Sequence, residues 1–234
     1  MRRRLLLLNV FVVAFCALVY ELVCGTVASY LLGGAVSQFA LVLGTYLFAM
    51  GAGAWLSRRA EAHAASRFVQ AELALALLGG LSAPTLMLAF GANVPLRPML
   101  YALVFAIGAL VGVELPLLIA LLSPRRDGGD EAPPAPPPAD APGVRTDAFS
   151  RALALDYAGA LGASLLFPLV LVPRLGLVRT SVAFGLVNVA VAVGATALLR
   201  PARSGAHYAA GAAVTAALVV AFARAETWVL GAVD

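Results

Sequence analysis

The sequence predicts an all-α, polytopic bundle of about seven transmembrane helices, and three observations carry that prediction. Mean hydropathy is +0.95, with 62% hydrophobic and only 12% charged residues, where a soluble domain carries roughly 25% charged residues. Seven apolar stretches reach or approach the roughly 20 residues that a helix needs to cross lipid. Almost all charges fall in the links between those stretches.

The first stretch, Leu5 to Leu31, follows the basic start "MRRR". A basic start and an apolar run also outline a signal peptide. Here no small-x-small cleavage site closes the run, which continues past Glu21, so it is read as a retained first helix. The second stretch, Phe39 to Leu56, follows "GGAVSQ". The third, Phe68 to Phe90, follows "SRRAEAHAASR" and puts Glu72 at its start, at the membrane interface. The fourth, Met99 to Leu122, follows "GANVPLR" and closes a four-helix half over residues 1–122.

Next comes "SPRRDGGDEAPPAPPPADAPGVRTDAFS", where seven of the chain's fourteen prolines fall within twenty residues. Such a segment cannot bury enough apolar surface to fold, so residues 123–151 are expected to form a disordered cytoplasmic linker. Residues 152–234 then supply helices five to seven and a short tail. Those helices are Leu153 to Val172, Ser181 to Leu199 after "PRLGLVR", and Tyr208 to Phe222 after "RPARSGAH". The last is short and rich in alanine.

All sixteen basic residues are arginines. With the N-terminus inside, twelve of them fall on the cytoplasmic side and only Arg97, Arg174, Arg179 and Arg224 fall outside, which obeys the positive-inside rule. The net charge of +4 is spread too evenly for a nucleic-acid footprint, so no nucleic-acid partner is expected. Cys16 and Cys24 are eight residues apart on one helix, about 12 Å along its axis. That is too far for a disulfide between them.

Three acids interrupt the apolar stretches: Glu21, Glu114 and Asp156. A charged acid at the bilayer centre costs about 2.5–3.5 kcal/mol even on lenient scales, so each is a candidate for a proton, ion or amine path. In "LVGVELPLLIALL", Glu114 is followed two residues later by Pro116, which removes a backbone donor from the same helix. Glu114 and Asp156 lie on the helices flanking the linker and are expected to converge. The competing reading is that each acid bonds a neighbouring helix and serves packing alone.

Small residues recur at helix-packing spacing: Gly25 with Ser29, Gly108 with Gly112, Ala158 with Gly162, and Gly159 with Ala163. Such pairs let two backbones approach closely. Catalytic signatures are missing: there is no G-x-S-x-G, Walker A or H-E-x-x-H motif, and "GAGAWL" lacks the third glycine of a nucleotide fingerprint. His63 and His207 have no metal-ligand spacing around them. Neither catalytic residues nor a metal site is expected.

Three blocks in order, "LVYELVCGTVASYLLGGAVSQFALVLGTYLFAMGAGAWLSR", "LVGVELPLL" and "ALDYAGALGASLLFPLVLVPRLGLVRTSVAFGLVN", resemble the membrane region of multi-pass bacterial spermidine synthases (polyamine aminopropyltransferases). The likeness runs from about Arg4 to about Leu199. It implies a bacterial inner-membrane location, and it sets Glu21, Glu114, Asp156 and Tyr157 where that family carries its intramembrane acids and a neighbouring tyrosine. Tyr20, beside Glu21, completes the candidate set.

The family's members typically continue into a soluble domain that binds decarboxylated S-adenosylmethionine and putrescine. No positions here match that domain's glycine-rich loop or its amine-binding acids, so no cofactor and no aminopropyl transfer are expected of this chain by itself. The resemblance implies a membrane module that anchors a synthase domain, or that binds or moves a cationic polyamine. The alternatives are a stand-alone cation or amine transporter, with or without proton coupling, and a purely structural anchor. The bilayer, a downstream-encoded synthase domain and a polyamine are the expected partners, and a homo-oligomer is left open.

Overall fold

The computed structural model describes residues 2–57, 63–122, 144–201 and 203–224. Its elements are helices throughout: α1 (Arg2–Leu32), α2 (Ala35–Ser57), α3 (Ala64–Gly80), α4 (Ser82–Gly91), α5 (Leu96–Leu122), α6 (Val144–Leu166), α7 (Val172–Leu199) and α8 (Ser204–Ala223). A π-helical turn, Phe167–Leu171, joins α6 to α7. An all-α bundle is what such apolar runs require, because in lipid each segment must satisfy its own backbone polar groups.

Six continuous helical stretches are long and apolar enough to cross a membrane. One of them, Phe149–Leu199, has 51 residues. That is about 77 Å at the helical rise, more than twice the roughly 30 Å hydrocarbon core. It is broken at Gly176, whose φ of 73° and ψ of 173° suit glycine alone. The chain also reverses there. Ala152 packs in a cluster with Leu6, Phe68 and Leu117, and Phe167 lies in the central cluster with Tyr20 and Ile107. Beyond Gly176 the order inverts: Val178 is central, and Ala192 and Ala195 return to the cluster of Leu6. The stretch therefore holds two lengths each able to cross a membrane, which brings such lengths among the described residues to seven.

Local chemistry marks each irregularity. Pro84 cannot donate to the carbonyl of Gly80, and the chain breaks between α3 and α4 at Leu81. Pro116 lies inside α5 and frees the carbonyl of Gly112 in the same way. Pro168 starts the π turn, in which the amide of Val172 reaches back five residues to the Phe167 carbonyl. Helix α6 begins at Val144, inside the stretch expected to be linker. Residues 123–143 and the tail 225–234 lie outside the described residues.

Helix α1 sits centrally, packed against α2, α5, α6 and α7. Glycines set how closely the helices approach. A Cβ on Gly108 would stand 2.8 Å from the Tyr46 carbonyl, one on Gly112 would strike the Met50 carbonyl, and one on Gly53 would strike the Ala109 carbonyl. The common offset of Gly108 with Tyr46 and Gly112 with Met50 shows that α2 and α5 run parallel. Gly159 lies against the Phe11 carbonyl and Gly162 against the Phe15 ring, so α6 runs parallel to α1. Gly25 faces the Phe39 ring, while the Ser29 hydroxyl donates to the carbonyl of Gly25 at 2.8 Å. Large apolar side chains such as Phe48, Trp55, Leu161 and Leu169 point outward, as suits a surface facing acyl chains.

Candidate functional site

Helices α3 and α5 pack together and each turns one acid into their contact. On α3, Phe68, Glu72, Leu75 and Gly79 repeat at the helical period and are all buried. On α5, Ile107, Val111, Glu114 and Leu118 do the same. Each acid therefore sits within an apolar stripe that faces the core. Glu72 is 0% exposed and Glu114 1%, on two helices packed against each other. None of the four carboxyl oxygens has a hydrogen-bond partner among the described residues.

The walls of the site come from α1 and α2. Cys16 and Tyr20, one turn apart on α1, both lie in the field of Glu72 and Glu114. The Tyr20 ring rests on Gly79, where an added Cβ would stand 2.7 Å from it. Glycine at 79 is thus what lets the ring approach α3 so closely. The Tyr20 hydroxyl is fully buried and has no hydrogen-bond partner among the described residues. Tyr46 on α2 is fixed differently, its hydroxyl donating to the Ala17 carbonyl at 3.0 Å.

The expected candidates divide between this site and its surroundings. Glu114 and Tyr20 come together around it. Glu21 is buried at 7% exposure, but it follows Tyr20 by one residue and so points about 100° away around the helix. Its charge acts on Cys24 and Tyr46, not on the carboxyl pair. The expected convergence of Glu114 with Asp156 is not what is found. Helix α6 packs chiefly on α1, which leaves Asp156 half-buried outside the pair's reach. Tyr157 is 66% exposed on the outer side of α6.

The partner of Glu114 is Glu72, expected at the membrane interface and found in the core. The reason is helix length. Helix α3 begins at Ala64, not Phe68, which sets Glu72 eight residues, about 12 Å, inside. The spacing of Phe68, Leu75 and Gly79 around Glu72 was the available signal.

Other buried polar atoms lie apart from this site. The Asn188 Oδ1 and Thr180 Oγ1 on α7 have no hydrogen-bond partner. Ser66 and the His207 Nε2 approach to 3.3 Å between α3 and α8. Among the described residues, no group of three or more His, Cys, Asp or Glu is placed to hold a metal. Nor do these residues fit decarboxylated S-adenosylmethionine. Gly53, Gly108, Gly112 and Gly159 are taken up by helix contacts, and the two acids are buried inside a closed core.

Chemically, two carboxyls in contact can share a proton, since one must carry it to donate to the other, or they can receive one cationic group between them.

No protein-family model and no solved structure matches the chain. Curated relatives do. Polyamine aminopropyltransferase 2 of Ralstonia nicotianae is 50% identical over 191 residues, which is 81% of this chain and 34% of the relative. The polyamine aminopropyltransferase of Leptospira interrogans is 43% identical over 194 residues, 83% of this chain and 36% of the relative. Polyamine aminopropyltransferase 1 of Streptomyces coelicolor is 35% identical over 228 residues, 97% of this chain and 40% of the relative. Its homologues are thus polyamine aminopropyltransferases, similar over at least four-fifths of this chain, which spans between a third and two-fifths of their length.

Proposed function

We propose that this chain is a polyamine-handling membrane module of a spermidine synthase-like protein, in which Glu72 and Glu114 receive a cationic amine group between α3 and α5. One observation carries the reading: two fully buried acids stand on the packed helices α3 and α5, and none of their oxygens has a hydrogen-bond partner among the described residues. They do so in a chain whose homologues are polyamine aminopropyltransferases. One ionised acid in lipid costs about 2.5–3.5 kcal/mol, and a single ammonium group beside it offsets that one charge. The unpartnered Tyr20 hydroxyl offers a further acceptor.

The module is assigned to the bacterial inner membrane with its N-terminus in the cytoplasm, on the support of the arginine distribution. Aminopropyl transfer, with decarboxylated S-adenosylmethionine, is assigned to a soluble synthase domain working beside it. A second reading, a structural anchor, is favoured by the near-complete burial of the pair.

Equilibrium binding of radiolabelled spermidine to the full chain in nanodiscs separates these readings. Glu72→Gln and Glu114→Gln are each expected to weaken binding by about tenfold or more, equivalent to about 1.4 kcal/mol, at unchanged melting temperature. Wild-type protein that binds no spermidine leaves the anchor reading standing. Binding that survives in the double variant removes the pair as the receiving site. Flux of the same label into proteoliposomes identifies a stand-alone transporter.

A further inference from the structure

The N-termini of α3 and α8 lie side by side. Ser66 and His207 approach to 3.3 Å, a Cβ on Gly211 would stand 3.9 Å from the Leu73 side chain, and one on Gly80 would stand 2.8 Å from that of Leu218. The partner numbers rise together along both helices, so α3 and α8 run parallel and begin at the same end of the bundle. A helix N-terminus carries about half a positive charge, so this joint holds about one before any side chain is counted. Arg67 follows Ser66, Arg203 is the N-cap of α8, and Arg200 caps the end of α7 just before it. All three arginines are exposed. Neither N-cap residue, His63 nor Arg203, makes a side-chain hydrogen bond to its helix.

The first turn of α8 has donors to spare. The Arg203 carbonyl accepts from the amides of Ala206 and His207, which leaves the amides of Ser204 and Gly205 facing out of the helix end. Space is open there, since a Cβ on Gly205 would have nothing within 4 Å. A second, independent observation points to a ligand. His207 is 8% exposed, and its Nδ1 is buried with no hydrogen-bond partner among the described residues. Side chains in a helix lean toward its N-terminus, so this ring is directed over the first turn of α8. Its Nε2 faces Ser66. With the serine hydroxyl donating to Nε2, Nδ1 keeps the ring proton and is left as a donor. Groups that donate hydrogen bonds or carry positive charge, gathered in this way, select an oxyanion.

We propose that the adjoining N-termini of α3 and α8 bind a phosphate group, held by the Ser204 and Gly205 amides and the His207 Nδ1, with Arg67 and Arg203 supplying countercharge. The group belongs to the headgroup of an anionic phospholipid or to soluble phosphate, since the chemistry recognised is the same. A phosphate oxygen seated on the two amides is the acceptor that the imidazole nitrogen lacks. The bound anion also offsets the repulsion between two positive helix ends held side by side. Nothing in this site depends on Glu72 or Glu114.

The test is native mass spectrometry of the full chain released from detergent micelles, titrated with phosphatidylglycerol, phosphatidylcholine or inorganic phosphate. Phosphatidylglycerol is expected to be retained at concentrations where phosphatidylcholine, whose headgroup is neutral overall, is lost. Retention that withstands excess inorganic phosphate supports the site and identifies the lipid headgroup; displacement by inorganic phosphate supports the site and identifies soluble phosphate as an occupant. Arg67→Gln and Arg203→Gln, both at exposed positions, are each expected to weaken retention about fivefold. His207→Phe, which keeps a ring and removes both nitrogens, is expected to weaken it as well. Arg97→Gln, in the link between α4 and α5 at the other end of the bundle, is expected to leave retention unchanged. Equal retention of the two lipids with no binding of inorganic phosphate overturns the site, and so does a loss in Arg97→Gln equal to that in Arg203→Gln. The wild-type comparison decides even where His207→Phe fails to fold.

Discussion

At the scale of single residues, the bundle depends on atoms that are missing. Gly53 and Gly112 let the backbones of α2 and α5 touch, because a Cβ at either would strike a carbonyl of the partner helix. Gly44 and Gly51, on the same helix α2, have open space where a Cβ would go. This contrast predicts opposite responses to one chemical change. Gly53→Ala forces the helices apart, and overpacking of this kind costs about 1–3 kcal/mol, seen as a lower melting temperature in detergent. Gly44→Ala adds a methyl to the outer face and is expected to leave the melting temperature unchanged or raise it, since alanine favours helix by about 1 kcal/mol over glycine. Equal losses from both substitutions would show that glycine matters here through the backbone and not through helix contact. The pattern of Gly108 and Gly112 was legible in the sequence. Gly53 was not, because "GAGAWL" offers several small residues and only the partner helix selects among them.

At the scale of elements, proline and glycine decide where helices bend, and their consequences differ. Pro84 and Pro116 interrupt helices that continue in direction, whereas Gly176 reverses one. Its φ of 73° and ψ of 173° lie where side chains with a Cβ are strained by about 1–3 kcal/mol. Gly176→Ala is therefore expected to lower thermal stability by that amount, although an added Cβ there has nothing within 4 Å to strike. A melting temperature equal to wild type would mean that the turn adjusts freely. The sequence reading anticipated a link at "PRLGLVR" because arginine and proline stood together between apolar runs. It did not anticipate the π turn or the early start of α3. In lipid both faces of a helix are apolar, so periodicity loses the contrast that marks ends and buried faces in water. That loss is what hid Glu72: with Arg67 five residues before it, the acid read as part of the polar link.

At the scale of the whole molecule, the proposed cytoplasmic N-terminus and seven passes together send α8 away from the cytoplasmic end. Ser66 and His207 then lie near the arginine-rich end with Arg67 and Arg203, and the Arg179–Phe222 contact, 5.8 Å from the guanidinium carbon to the ring centre, closes the opposite end. This arrangement makes the position of each link a test of the break at Gly176. Green fluorescent protein folds only on the cytoplasmic side, so fusions that end at Arg203 are expected to fluoresce and fusions that end at Asn93 or Gly176 are expected to stay dark. If Phe149–Leu199 were one continuous pass, everything after it would change sides. The Arg203 fusion would then be dark while the Asn93 fusion stayed dark too. The carboxyl pair is indifferent to that outcome, because α3 and α5 precede the break. The approach of α7 to α3 at Gly80 and Gly185 is not, since it needs α7 to turn back along the bundle. A dark Arg203 fusion would thus overturn the packing of α7 and α8 while sparing the acids.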